Sequence, residues 1–223
     1  MCGRYADFLA DQDLADAFSI AAHTGDARLL PPSFNVAPTQ AVRVIRAGEE
    51  VPLLDVARWG LVPSWAKDPA VGARMINARL ETVAEKPSFR TAFARRRCVV
   101  PASGYYEWSA DAQGKTPFYL HPEDDAPLAF AGLLEAWRAT GDDPWLITCA
   151  IVTTAARGRM AAIHDRQPVM MRPDVWTTWL ASDATPEQLM DAAHAPAPDL
   201  LWHEVGKAVG NVRHNSPELI EPV

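Results

Sequence analysis

The 223-residue sequence has no run of about 18 apolar residues, so no segment is long enough to cross a bilayer as a helix. Its start, Met1-Cys2-Gly3-Arg4, lacks the basic segment and apolar stretch of a signal peptide. A soluble protein of the cytoplasm with no membrane partner is the expectation. Cysteine is scarce: Cys2, Cys98 and Cys149 are too few and too scattered for a disulfide framework or a zinc site. No metal and no other cofactor is expected, and the compartment is read as reducing. Ser/Gly-rich linkers and internal repeats are absent, although 19 prolines are spread along the chain. Positive charge is in deficit. Lys+Arg 21 against Asp+Glu 28 leaves a net −7, which argues against a protein that coats nucleic acid through many phosphate contacts.

Apolar material is ample. With 48% hydrophobic residues, a chain of this size buries roughly 70% of its unfolded surface, which excludes global disorder. Residues 7–22 carry Phe8, Leu9, Leu14, Phe18 and Ile20 at helical spacing and predict an amphipathic helix after a short N-terminal strand. Runs from Val42 to Ala47 and from Val51 to Trp59 flank Gly48-Glu49-Glu50 and predict a hairpin. Strands are also predicted at 98–109 and 116–121 around Asp111-Ala112-Gln113-Gly114, and at Leu128 to Trp137 and Trp145 to Thr154. Helical patterns return at Pro173 to Ala181 and, after the N-cap candidate Thr185 with Pro186 at the first helical position, down to His194. A last strand runs from Leu201 to Val205. Together these predict an α+β fold, a single domain over residues 1–223. Its curved, mostly antiparallel, barrel-like sheet carries peripheral helices, and the protein is expected to be a monomer.

Cys98 and Cys149 sit inside apolar runs and read as small buried hydrophobes. Cys2 is different. Methionine is generally removed before a small second residue, so Met1-Cys2 predicts a mature chain that begins with cysteine. Such a residue carries an amine of pKa about 8 beside a thiol of about 8.5, so roughly a tenth of the amine is neutral at pH 7. The amine can condense with an aldehyde to a Schiff base, and the thiol can then close a five-membered thiazolidine ring. Either nucleophile could instead serve acyl transfer, and a cysteine that merely follows a start codon is the plain alternative.

A Schiff base forms through a carbinolamine that must lose water, so a proton-exchanging carboxyl group should lie beside the amine. Glu107, in Gly104-Tyr105-Tyr106-Glu107-Trp108, stands between aromatics, where burial would raise its pKa; a strand carboxylate facing solvent is the other reading. His164, in Ile163-His164-Asp165-Arg166, has polar neighbours that could bias its tautomer, or is structural. Asn77, in Ile76-Asn77-Ala78-Arg79, is an amide that could orient a reacting group or fix a loop.

These segments occur in one order together with Asn35-Val36-Ala37-Pro38, Trp59-Gly60-Leu61-Val62-Pro63 and Gly210-Asn211-Val212. Over nearly its whole length the chain resembles the SOS-response-associated peptidase (SRAP) family. The resemblance implies capture of abasic sites in single-stranded DNA as a covalent crosslink. The bond would be a thiazolidine made by Cys2 after removal of Met1, and it would shield the site during the DNA damage response. Also implied are a β-lyase-like ability to nick such sites and a peptidase activity read as removal of Met1 or self-release. The implied partner is single-stranded DNA containing abasic sites, which would make the cytoplasmic protein nucleoid-associated when bound. By matched motif, Cys2 is the nucleophile, Asn77 positions the amine or opened sugar, Glu107 shuttles protons and His164 acts on the sugar oxygens. Arg4, Arg79 and Arg166 match phosphate contacts. Asn35, Pro38 and Trp65 match the cleft rim, where an aromatic can stack on bases or wedge between them. Where relatives carry two adjacent tryptophans, this chain has Trp65-Ala66. Arg95-Arg96-Arg97 reads either as added basic surface or as a solvated helix end.

Two other functions stay open at this point. An N-terminal-nucleophile amidohydrolase would also begin Cys2-Gly3, although the chain is short for that architecture. A non-covalent single-strand binding module would use the tryptophans as stacking platforms. The net −7 is compatible with a narrow cleft in which a few arginines guide one strand past a reactive residue.

Overall fold

The computed structural model describes residues 2–24, 26–112 and 114–223. Met1, whose removal is expected, and Gln113 of the expected turn lie outside the described residues. The first strands are β1 (Tyr5–Asp7), β2 (Ala22–His23), β3 (Ser33–Val36), β4 (Ala41–Arg46), β5 (Leu53–Trp59) and β6 (Asn77–Arg79). β7 (Arg97–Ala102), β8 (Gly104–Asp111), β9 (Gly114–Pro122), β10 (Leu128–Trp137) and β11 (Leu146–Ala155) follow. β12 (Arg166–Pro168), β13 (Met170–Met171) and β14 (Leu200–Glu204) are shorter. The α-helices are α1 (Asp11–Phe18), α2 (Arg90–Arg95), α3 (Pro173–Leu180) and α4 (Pro186–His194).

β5, β4, β7, β10 and β11 pair antiparallel in that order, and β11 returns to β5 in parallel, with Thr148 opposite Arg58 and Cys149 opposite Trp59. The ring is a closed five-stranded mixed barrel. Closure removes the edges that an open sheet of this size would expose. A second, antiparallel sheet runs β14-β9-β8-β1-β3. The fold is α+β, as the sequence pattern implies.

Two-residue alternation divides the barrel residues between two apolar clusters. Phe130, Cys98, Val100, Cys149 and Ile151 point to a cluster that also holds Cys2, Tyr5, Trp59 and Tyr105. Ala131, Leu133, Val99, Ala150 and Val152 point to another, covered by Leu14 and Phe18 of α1, Phe93 of α2, Trp176 and Trp179 of α3, and Leu189 of α4. Burial on both faces explains the near-continuous apolar run of β10.

A buried ion pair fastens the N-terminal strand to the barrel. The Arg43 guanidinium on β4 grips both carboxylate oxygens of Asp7 on β1 and also donates to the Leu9 carbonyl at 2.9 Å. Burial pushes the Asp7 carboxyl up, against the pull of Arg43.

The structure departs from the sequence pattern at several points. The expected helix over 7–22 is confined to Asp11–Phe18, because Asp7 is drawn into β1 and residues 22–23 pair with β5. The expected strand over 98–109 is two strands in different sheets. The chain turns at Ser103, whose N–H donates to the Ala6 carbonyl at 2.8 Å and whose hydroxyl accepts from the Phe8 N–H at 3.1 Å. Gly104 lets β8 begin close against β9, since a Cβ there would lie 2.5 Å from the Tyr119 ring and 2.6 Å from the Leu120 carbonyl oxygen. The run Arg95-Arg96-Arg97 is not a free basic surface: Arg97 is buried and caps carbonyls of Phe93, Trp179 and Ala181, and Arg96 pairs with Glu135 at 2.6 Å.

Candidate active site

Cys2 precedes β1 and is fully buried in the cluster shared by barrel and second sheet. The Tyr106 N–H donates to the Arg4 carbonyl at 3.0 Å, and Tyr5 lies opposite Tyr105, so β8 fixes the N-terminal segment. The same pairing brings Glu107 close. Alternation along β8 puts Tyr105 and Glu107 on the face toward Cys2, and Tyr106 and Trp108 on the opposite face, against Val205 and Val209.

Asn77 arrives from the other side. Gly60 and Gly72 meet backbone to backbone, where a Cβ on either would lie 2.6 or 2.4 Å from the other's carbonyl oxygen. That close approach seats the 69–74 turn on the Trp59-Gly60-Leu61 segment. The Trp59 indole N–H then holds the Ile76 carbonyl at 2.9 Å, and β6 pairs with β11 with Asn77 opposite Ile151. Asn77 Nδ2 donates to the Cys2 carbonyl oxygen at 2.8 Å. Its Oδ1 is buried and has no partner among the described residues.

Burial raises the Cys2 thiol well above its ordinary value, and the nearby Glu107 charge raises it further; the Arg4 backbone N–H partly offsets this. The sulfur therefore rests as a neutral thiol. Burial also pushes the Glu107 carboxyl up, with the charge of His164 among the opposing effects. His164 Nε2 lies 3.9 Å from Glu107 Oε2, too long for a hydrogen bond. The Arg166 backbone N–H donates to His164 Nδ1 at 3.0 Å. This donation needs a lone pair on Nδ1 and leaves the ring proton on Nε2, facing Glu107. Asp165 Oδ1, 2.9 Å from Nδ1, favours the opposite arrangement, but its side chain is exposed and screened.

The residues matched to DNA contacts fall into two groups. Arg4 is half-buried; its Nη1 donates to Asn35 Oδ1 and to the Val209 carbonyl, both at 2.7 Å, and its Nε is buried without a partner among the described residues. Asn35 is itself buried, with Nδ2 directed at the His214 carbonyl at 2.8 Å and the Asn211 carbonyl at 3.1 Å. Its amide is thus engaged inside the protein, closing the Gly210-Asn211 segment over β3. Arg79 and Arg166 meet at Thr153: Arg79 lies opposite it in the β6–β11 pairing, and Arg166 Nη2 donates to its carbonyl at 2.8 Å. Arg79 is exposed, whereas Arg166 is bound bidentately by Glu81. Pro38 is half-buried beside a turn that holds Thr39 at φ 72°, an unusual conformation for a β-branched residue. Trp65 is 63% exposed and lies outside the buried cluster that holds Cys2.

Glu81 and Thr153 carry no sequence signal that would have marked them, being an acid two residues past Asn77-Ala78-Arg79 and one threonine in an apolar strand. Among the described residues no cluster of three or more His, Cys, Asp or Glu side chains could hold a metal ion.

The sequence matches the family described as SOS response associated peptidase (SRAP) over residues 1–212. The chain belongs to the SRAP family. Its relatives in that family include the abasic site processing protein YoqW of Bacillus subtilis, 38% identical over 99% of both chains. The abasic site processing protein YedK of Escherichia coli is 31% identical over the full length of both, and HMCES of Xenopus tropicalis is 27% identical over 78% of its own length. Among solved structures, a Bacteroides thetaiotaomicron protein superposes with a TM-score of 0.88 at 21% identity over the whole of both chains. A phage-related protein of Bordetella bronchiseptica gives 0.71 at 30% identity over 92% of this chain and 94% of its own. The SRAP fold is therefore shared across widely diverged sequences.

Proposed function

We propose that this protein processes abasic sites in single-stranded DNA by covalent capture, acting as a monomer through Cys2 once Met1 is removed. The supporting observation is the placement of Cys2: a buried residue whose carbonyl is held by Asn77 and whose sulfur lies within reach of the Glu107 charge. The names of the relatives, abasic site processing proteins, supply the substrate class.

In the proposed sequence the Cys2 amine attacks the aldehyde carbon of the ring-opened sugar. Glu107 donates a proton to the departing hydroxyl, water leaves and an iminium forms. The resting thiol then adds to the same carbon, its proton passes to Glu107, and a thiazolidine closes. Amine, aldehyde and thiol together yield the ring and one water. A carboxyl group lifted by burial suits both proton transfers, because it is easily protonated in one step and basic in the next. His164, with Nε2–H aimed into the site, acts on the sugar hydroxyl during opening and reversal. Asn77 Oδ1, a buried acceptor without a donor among the described residues, suits the terminal ammonium or a sugar hydroxyl. Strand nicking follows if the iminium loses a sugar proton before the thiol closes on it. The peptidase activity is read as the removal of Met1 or self-release.

The test is a denaturing gel with abasic and intact single-stranded oligonucleotides, run on protein whose intact mass establishes that Met1 is absent. Wild type should give a denaturation-resistant complex with abasic DNA only, and Cys2→Ala should give none. An unchanged complex with Cys2→Ala would sink the proposal.

A further inference from the structure

Of the three arginines matched to phosphate contacts, Arg166 is the one that pairs with an anionic side chain among the described residues. Its Nη1 and Nη2 donate to Glu81 Oε1 and Oε2 at 2.7 and 2.9 Å, and Nη2 also holds the Thr153 carbonyl at 2.8 Å. The Arg166 side chain is 12% exposed and that of Glu81 47%. Arg166 Nε is buried with no partner among the described residues, as is the hydroxyl of Thr82 beside Glu81. The two-point contact from Arg166 holds the Glu81 carboxyl down to about 2, helped by the backbone N–H groups of Glu81 and Ala155. A guanidinium fork presenting two parallel N–H donors is a phosphate site in its chemistry. Here a carboxylate of the same chain fills it.

We infer that Glu81 is an internal phosphate mimic, which plugs the anion niche of Arg166 and must be displaced by a phosphate of the incoming strand. The inference rests on reading this cleft as a DNA site. Arg166 is fixed to β11 through Thr153, so it stays in place during the exchange. Glu81 sits on a short turn between Arg79 and Val83 with half its side chain in solvent, and can rotate away. Exchanging a carboxylate for a phosphate on the same fork returns little net energy. Undamaged strands are therefore held weakly, and lasting attachment falls to the covalent bond. The latch works as a repulsive element that sharpens selectivity.

Fluorescence anisotropy with an undamaged single-stranded oligonucleotide tests this on the full chain. Glu81→Gln should bind roughly two- to fivefold tighter than wild type, the upper part of the range expected for removing one competing ion pair at the surface. The gain should vanish in the Glu81→Gln/Arg166→Gln double variant. Glu81→Asp, shorter by one methylene but still charged, should fall between, and covers the case in which Glu81→Gln melts early. Equal or weaker binding by folded Glu81→Gln, while wild type still crosslinks abasic DNA, overturns the latch and leaves covalent capture standing. Tightening that depends on Arg166, in a protein that forms no crosslink, overturns capture and leaves the latch standing.

Discussion

Asn77 reaches across from β6, which pairs with barrel strand β11, to hold the Cys2 carbonyl at 2.8 Å, so the N-terminal segment is held from the barrel side as well as by β8 of its own sheet. Asn77→Ala leaves that carbonyl buried and unpaired, a loss of about 1–3 kcal/mol. Crosslinking by Asn77→Ala should slow by roughly ten- to a hundredfold, with a matching fall in stability on urea titration. Asn77→Asp should be no better, because a carboxylate cannot donate to the Cys2 carbonyl. A wild-type rate in Asn77→Ala would show that the amide does not position the nucleophile.

Glu107 burdens the fold that holds it. Burial raises its folded pKa above the unfolded value of about 4.3, so between those two values the native state binds the proton more tightly and stability falls as pH rises. At pH 7 the ionised carboxylate is the unfavourable form. Glu107→Gln should therefore melt at a higher temperature than wild type at pH 7, with the gap closing toward pH 4, while crosslinking becomes much slower. Melting curves across pH 4 to 8 check the sign. A Glu107→Gln protein less stable at pH 7 would make Glu107 a structural residue.

The sequence carries the barrel clearly where both faces of a strand are apolar, as in Leu128 to Trp137 and Leu146 to Ala155, and where a capping residue starts a helix, as at Thr185. It misreads the passage from β7 to β8, because the signal there is a close approach of Gly104 to a strand reached only after the next turn. α2 escapes notice since six residues are too few to show a period. In the site, chemistry-bearing residue types stand out singly in the sequence. Their pairings do not: that Asn35 serves Arg4, or that Glu81 occupies Arg166, depends on segments 31 and 85 residues apart.

The Arg43–Asp7 pair joins the strand after Cys2 to the barrel, and both groups are buried. Removing one partner strands the other charge, which costs about 3–5 kcal/mol. Arg43→Met should lower stability by about that amount. Arg43→Met with Asp7→Leu should recover much of it, since well-packed apolar residues can replace a buried ion pair. Urea titration of the three proteins checks this. A small loss in Arg43→Met alone would show that the Asp7 carboxyl is protonated and needs no partner.

Trp65 is the aromatic best presented to a strand. The Trp137 indole N–H holds the Ala66 carbonyl at 2.7 Å, which pins the loop while leaving the Trp65 ring 63% exposed. Stacking one base on such a ring is worth about 1–3 kcal/mol, so Trp65→Ala should weaken binding of undamaged single strands by roughly five- to 150-fold. Trp65→Phe should retain much of the affinity, because it keeps a π face. Since Ala66 supplies no second ring, the whole effect should rest on this position. Melting temperature should barely move, as little apolar area is lost from the core. At saturating DNA the crosslinking rate of Trp65→Ala should match wild type, because the exposed Trp65 ring lies outside the buried cluster that holds Cys2. Anisotropy gives the affinity and single-turnover gels the saturated rate. Unaltered affinity in Trp65→Ala would remove this residue from the DNA surface, and a slowed rate at saturation would make it part of the chemical step.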